Sequence, residues 1–568
     1  MKLIIGLSGN LPSQISGNSF LSEYNSFYRP FFQILYGYPD IPAVIYFSGL
    51  WYEWLAEEHT EIITLIAEMM KRNRQVELLG GAYYEPYLPL LQNIDRIGQI
   101  DALTTSLRQR FMKKPKGCRI DSASWDNSLI SCLKSCGIEY VFLDKSNMFF
   151  PAGFKVPDYH VSMTEDQGKI ITVFPLADKL LESAQDMVPE EFVQRLLQIK
   201  GRDPVVSLFF DPKTIAKLDL VWLKEFFRLI TTNKAIELVS PSQYLKGDPE
   251  IAREYFQNKN ICKKMLLNSE ELANLYAKMI YVQTLANSIK GDKYKKKSAL
   301  EELWKGQGYF SAFTCSASRK AYSCFITSEK LSRSQESFIS SLVKADFKLR
   351  GYKQYLYQGD TCNAYIQRAG GMIFEFDNIP TAWNYVSYCP DNQYPGIFRD
   401  SMYDPAKFRG DIESLTKSGY DDFSSIVYDV DDYDRENKKL VLSFRYKTSE
   451  GPIRIIKTYR FFNFLTAVKY ELINMGGLPI NIGGAVSFNL TLSSDAHIFH
   501  PRMLEKGIEF DDRSRTITIT SDRVSNFTYR NIFHDGGQYL STLIYAFGQT
   551  GILDPGKSCQ ISFELSCH

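Results

Sequence analysis

Short apolar runs alternate with longer stretches of helical spacing through the first 245 residues of the chain. The runs at 3–7, 43–47, 76–80, 117–122, 140–143, 170–174 and 205–210 are rich in β-branched and aromatic residues and predict strands. Between them, 51–72, 95–111, 127–136 and 221–232 place apolar residues three and four apart and predict helices. Strand and helix in alternation predict βαβ units with a parallel sheet. Seven strands in succession predict an incomplete (β/α)7 TIM-like barrel with its site at the C-terminal strand ends. From 248 to 348 the strand pattern fades, and 270–288, 297–304 and 333–344 read as helices of a bundle. The lysine-rich 290–297, KGDKYKKK, reads as a solvated connection between them. From 349 onward, apolar runs at 373–376, 440–446, 453–462, 467–473, 484–492, 516–521 and 542–547 are separated by Gly, Asp and Asn turns. That pattern predicts an antiparallel β-sandwich. The expected architecture is therefore α/β plus β, with a barrel domain at 1–247, a helical domain at 248–348 and a sandwich at 349–568.

Charge narrows the function. Lys plus Arg number 66 against 65 Asp plus Glu, a balance that argues against binding nucleic acid or a membrane surface through overall charge. No apolar stretch approaches the roughly 20 residues needed to span a bilayer. The opening MKLIIGLSGN has only five apolar residues in a row, so it reads as a first core strand and not a signal peptide. Ten scattered cysteines without a CxxC pair read as reduced thiols in a cytosolic protein. Cys132 and Cys136, four apart on a helix, read as packing residues. Aromatic residues make up 14% of the chain. Cross-strand packing in large β-domains accounts for that, and rings that stack on sugars are the functional alternative.

Several segments of the barrel region resemble glycoside hydrolase family 57, the α-amylases and 4-α-glucanotransferases. The stretch 28–54, YRPFFQILYGYPDIPAVIYFSGLWYEW, resembles the family's first helix and second strand. QVELLGGAYYEP at 75–86 resembles its most recognisable run, and DRIGQI at 95–100 follows. GIEYVFLD at 137–144, ITVFP at 171–175 and WLKEFFRLI at 222–230 continue in the family's order. The helical and β-rich remainder resembles, more weakly, the C-terminal region of the transferase-like members.

The resemblance implies retaining glycoside cleavage, with a carboxylate nucleophile and a carboxylic acid about 5–5.5 Å apart. The family's nucleophilic Glu falls late on a barrel strand shortly before a Trp. In GCRIDSASW, at 117–125, the matching position is Ser122. The family's acid, an Asp after a later strand, matches Asp211 in LFFDP. Its neighbours Pro212, Lys213 and Thr214 replace an acidic, glycine-containing loop, and Lys213 is expected to lower the Asp211 pKa. The family's His-Gln-Pro run corresponds to Ser8, Gly9, Asn10, Leu11 and Pro12. The barrel's two histidines, His59 in a helix and His160 in a loop, read as surface residues.

A serine needs a neighbouring base to act as a nucleophile, and no histidine falls on a strand end. Asp121 is adjacent, but alternation points it away from the lumen if Ser122 faces in. Glu77, Glu85, Tyr83, Tyr84, Trp125, Asp144 and Asn10 are the candidate groove residues. Glu77 is assigned to the cleft because an acid buried without a partner on an apolar strand is costly. No cluster of His and Asp suits a metal, and no cofactor is implied. The expectation is a degenerate family 57-like protein that binds an α-glucan or oligosaccharide, or acts as an interaction protein. The alternatives are an active enzyme with a relocated carboxylate and a scaffold without sugar affinity. Assembly with further copies of the chain is left open.

Overall fold

The computed structural model describes residues 1–9, 17–72, 74–120, 124–144, 159–201, 203–212, 219–255, 261–333, 338–386, 396–403, 420–448, 450–481, 483–492, 501–512, 515–523, 527–534, 538–547 and 552–567. These divide into two compact units, Met1–Met265 with Gln307–Ala312, and Leu266–Gly306 with Phe313–His568.

The first unit is built on strands β1 (Lys2–Gly9), β2 (Ala43–Phe47), β3 (Val76–Gly80), β4 (Gly117–Arg119), β5 (Tyr140–Leu143), β6 (Ser162–Asp166), β7 (Lys169–Pro175) and β8 (Val205–Phe210). β2 and β8 are buried at every position, as strands covered on both faces must be. The parallel order runs β8-β1-β2-β3-β4-β5-β7. A parallel bridge between Leu176 and Ser207 closes the ring, with the Ala177 amide donating to the Ser207 carbonyl at 3.0 Å. The seven-stranded barrel expected from the alternation is thus present, and β6 folds back antiparallel to β7 outside it.

Two glycines let the lumen close. A Cβ at Gly117 would lie 1.9 Å from the Tyr140 ring, and one at Gly6 would lie 2.7 Å from the Phe209 ring. Aromatic rings from neighbouring strands fill that space, with Phe142 and Phe209 4.9 Å apart.

The helix expected over 51–72 is two helices, Gly49–Glu58 and Thr60–Lys71. His59 breaks it with an extended backbone (φ −140°). Its ring stacks 3.9 Å from that of Tyr24, and Glu61 accepts from both His59 and Tyr24. His59 is therefore held between rings, not on an open surface.

In the second unit, one antiparallel sheet includes Ile373–Asn378, Ile397–Tyr403 and Gly483–Leu492. The other includes Lys439–Lys447, Pro452–Phe461 and Leu465–Asn474. Asp400 of the first sheet pairs with Lys457 of the second at 2.5 Å. Tyr428 and Tyr470 donate to the same carboxylate.

Among the described residues of 333–344 no helix is found. The helix is Cys315–Ser332, and Ser341–Ala345 is a strand paired antiparallel with Gln354–Gln358. The apolar residues near 342 fit either period, and strand pairing decides between them. The connection at 290–297 is also shorter than expected. A helix begins at Lys293, and the Asp292 carboxylate accepts from the Lys295 amide at 2.9 Å.

Helix Glu270–Ser288 carries Lys278 into the core, where its Nζ meets Glu329 at 2.8 Å, Glu375 at 2.9 Å and Asp377 at 2.7 Å. All four side chains are fully buried. Burial works against ionised Glu329, but Lys278 and Arg333 outweigh it and hold its pKa down at about 2. Burial dominates at Glu375 and pushes its pKa well above the usual range despite Lys278. Removing one partner of a buried charge pair strands the other and costs about 3–5 kcal/mol. Lys278→Met should therefore lower unfolding free energy by about that amount in a urea titration, whereas Lys297→Met, at an exposed pair, should change it by less than about 0.5 kcal/mol.

Candidate functional site at the barrel mouth

Parallel strands in a ring deliver their C-terminal ends to one rim. Asp144 follows β5, Asp178 opens the helix Asp178–Ser183 just after β7, Asp211 follows β8, and Arg119 ends β4. Glu85 follows β3 and accepts from the Tyr46 hydroxyl at 3.1 Å. Its φ of +54° is uncommon for a residue with a side chain, and such strain concentrates at functional sites.

Electrostatics place these groups within range of one another. Burial raises the Asp178 pKa to about 6; Arg119 opposes the rise, while Asp144, Asp211 and Glu182 add to it. The Asp178 Oδ1 is buried without a hydrogen-bond partner. Tyr28 is held well above the usual phenol range by burial and then by Asp211, Glu23 and Glu85, with Arg119 acting the other way. Its hydroxyl donates to the Ser8 carbonyl at 3.0 Å, tying the end of β1 to the helical layer. Tyr46 shows the same pattern, with burial first and Glu85 second.

The loop bearing Glu85 is clamped by the DRIGQI segment. Gln99 accepts from the Tyr83 amide through its carbonyl and from the Tyr84 amide through Oε1, each at 3.1 Å. Arg96 donates to the carbonyls of Leu88 and Pro89 and to Asn93 and Ser128. The motif is thus a brace for the segment after β3.

The sequence-derived candidates separate. Asp211, Asp144 and Glu85 come together at the mouth. Tyr83 and Tyr84 belong to the clamped loop, their rings 4.9 Å apart, with the Tyr83 hydroxyl donating to Glu53 at 2.6 Å. Glu77 is not in the cleft. Its carboxylate accepts from Tyr140 at 2.5 Å and from the Ser242 hydroxyl at 2.6 Å. Ser242 lies in helix Pro241–Lys246, just after a short strand that pairs with the start of β1, at the N-terminal end of the barrel. Partners there satisfy the half-buried acid. Trp125 is fully buried, and its Nε1 donates to Asn127 at 3.2 Å. His160 pairs with Glu254 at 2.7 Å.

Asn10, Asp121, Ser122, Lys213 and Thr214 lie outside the described residues. The described part of β4 turns Gly117 toward Tyr140 and Arg119 over the Phe209 ring at 5.8 Å. Its odd-numbered residues thus face the lumen.

Asp178, Arg119 and Tyr28 are the mouth residues that sequence reasoning missed. The available signal for Asp178 was its place three residues beyond the strand end in the ITVFP segment. Among the described residues no group of three His, Cys, Asp or Glu side chains could hold a metal ion, and no helix is long and apolar enough to cross a membrane.

A parallel barrel with acids gathered at its C-terminal rim is an arrangement typical of barrel enzymes. Residues 10–261 match the family model described as Glycosyl hydrolase family 57. The 4-alpha-glucanotransferase of Thermococcus litoralis is 32% identical over 256 residues, which are 43% of this chain and 38% of that protein. Alpha-amylase 1 of Dictyoglomus thermophilum is 25% identical over 422 residues, 64% of this chain and 61% of that one. Less than two thirds of either relative is therefore covered. In fold, the chain is similar over its full length to the crystal structure of the Thermococcus litoralis 4-alpha-glucanotransferase. The TM-score is 0.81 at 20% identity, with 99% of that chain covered.

The mouth predicts a pH signature. A carboxyl whose folded pKa is raised holds its proton more tightly when folded. The stability it contributes is present below the unfolded pKa and is lost as pH rises through the folded one. Asp178 should titrate near 6 by carboxyl-selective infrared or NMR measurement. Asp211→Asn should lower that midpoint and Arg119→Gln should raise it. An unmoved midpoint in both variants would separate Asp178 from the cluster.

Proposed function

We propose that the chain is a family 57-like protein that binds an α-glucan or oligosaccharide at the barrel mouth and is impaired in ordinary retaining hydrolysis. The observation that carries the impairment is Ser122 at the position matching the family's nucleophilic glutamate. A neutral hydroxyl supplies neither the attacking carboxylate nor the negative charge that stabilises an oxocarbenium-like transition state. Glu85, Asp144, Asp211 and Arg119 supply hydrogen-bonding groups suited to sugar hydroxyls. A cytoplasmic location and reduced thiols complete this reading.

One observation favours a second reading, an active hydrolase or transferase with a relocated carboxylate. Asp178 carries a raised pKa close to Asp144 and Asp211, and environments that push two carboxyl pKa values apart divide acid and base roles. In that reading Asp178 is the proton-holding member.

Reducing-end release from maltoheptaose distinguishes the two. The unmodified protein should release negligible product, since losing a catalytic carboxylate removes several orders of magnitude in rate. Ser122→Glu should create trace activity, well short of an amylase, because the segment at 8–12 and the Pro212–Lys213 pair are unchanged. Robust turnover that Asp211→Asn or Asp178→Asn abolishes and Ser122→Ala leaves intact would establish the second reading. Asp121→Asn tests the neighbouring carboxylate in the same assay.

A further inference from the structure

The loop carrying Glu85 is gripped from both sides, and only one grip belongs to the family-like DRIGQI segment. The other comes from Gln307–Ala312, a segment more than 200 positions away in sequence that belongs to the same compact unit. Gln307 is 1% exposed. Its Nε2 donates to the Asp95 carboxylate at 2.6 Å, and its Oε1 accepts from Gln99 Nε2 at 3.1 Å. Gln99 is thereby fixed in the amide orientation that presents Oε1 to the Tyr84 amide.

Beyond Glu85, the Tyr87 amide donates to the Ser311 hydroxyl at 2.6 Å, and that hydroxyl donates to the Gln307 carbonyl at 3.0 Å. Between these contacts lies Gly308, where a Cβ would sit 2.4 Å from the Tyr84 carbonyl oxygen. A side chain there would collide with backbone, so the close approach requires glycine. Glu85 sits between the two anchored amides with its backbone in the left-handed region. A non-glycine residue persists in that region when its surroundings over-determine it.

We propose that Gln307–Ala312 is a latch that positions the Glu85 carboxylate in the barrel mouth, with Gln307 and Ser311 as positioning residues for ligand binding there. Its consequence for binding rests on the mouth being a sugar site, but the latch itself does not. Gln307 acts through Gln99 on the amide before Glu85, and Ser311 acts on an amide after it. Loss of either lets the Glu85 backbone leave the left-handed region, and the carboxylate moves from the Tyr46 hydroxyl.

The test uses the full chain with Gln307→Met, which keeps side-chain length without amide hydrogen bonds, Ser311→Ala, and Ser311→Thr, which restores a hydroxyl. Peptide-level hydrogen exchange over 82–88 should quicken in the first two and return toward the unmodified rate in the third. Maltoheptaose affinity by calorimetry should fall about tenfold in Gln307→Met, about 1.4 kcal/mol. In a Glu85→Gln background the same substitution should cost less than about twofold, because the group it positions is already gone. Unchanged exchange over 82–88 in both Gln307→Met and Ser311→Ala would overturn the latch, as would a full tenfold loss in the Glu85→Gln background. If the unmodified chain binds no malto-oligosaccharide, the sugar-binding reading fails and exchange alone decides the latch. If Gln307→Met does not fold, Ser311→Ala with its Ser311→Thr rescue carries both readouts.

Discussion

Closure of the barrel is the constraint on which the first unit depends. Seven parallel strands make a tight ring, and its lumen must be filled by side chains with no ligand to help. Phe142, Phe174, Phe209 and Tyr140 fill it, which is possible because Gly6 and Gly117 present no side chain to Phe209 and Tyr140. The seam at Leu176 and Ser207 then brings the end of β7 beside β8. Asp178 and Asp211 follow directly from those two strands. The acids meet because the ring closes, so the core packing and the chemistry of the mouth have one cause.

Closure alone does not aim a side chain on a loop. The segment after β3 turns back over the rim and carries Glu85 in a conformation that its own sequence disfavours. Its order is imposed by Gln99, Arg96 and Asp95, which spend their polar groups on backbone amides and carbonyls or on Gln307. Buried polar groups are costly unless paired. A network in which almost every member is paired has a single low-energy arrangement, and that is what holds a loop as firmly as a strand.

Much of the fold was legible because its strands are buried on both faces. The runs at 43–47, 76–80, 140–143 and 205–210 coincide with observed strands, since an unbroken β-branched and aromatic run of that length has few other uses. The stretch at 333–344 was misread because a short apolar pattern fits two periods, and its partner strand begins ten residues later. Glu77 was misplaced for a related reason. An acid on an apolar strand does need partners, but Tyr140 and Ser242 come from 63 and 165 positions away. Local sequence reveals the need and not the supplier. Trp125 shows the reverse case, a ring near a strand end whose burial is complete. The DRIGQI segment was legible as a family resemblance, whereas its physical task appears only with Gln307 in place.

The charges at the mouth complete the argument. Glu85, Asp144, Asp178 and Asp211 share one rim with the guanidinium of Arg119. Asp144, Asp211 and Glu182 each add to the rise that burial imposes on the Asp178 pKa, so ionisation of Asp178 is resisted. Burial is the largest cause of that rise, and the Oδ1 of Asp178 is buried without a hydrogen-bond partner. Held by burial above the usual carboxyl range, Asp178 keeps its proton more tightly than an exposed aspartate does. Asp178 follows the strand whose end bridges to β8, so the acid with the raised pKa stands at the seam that closes the ring.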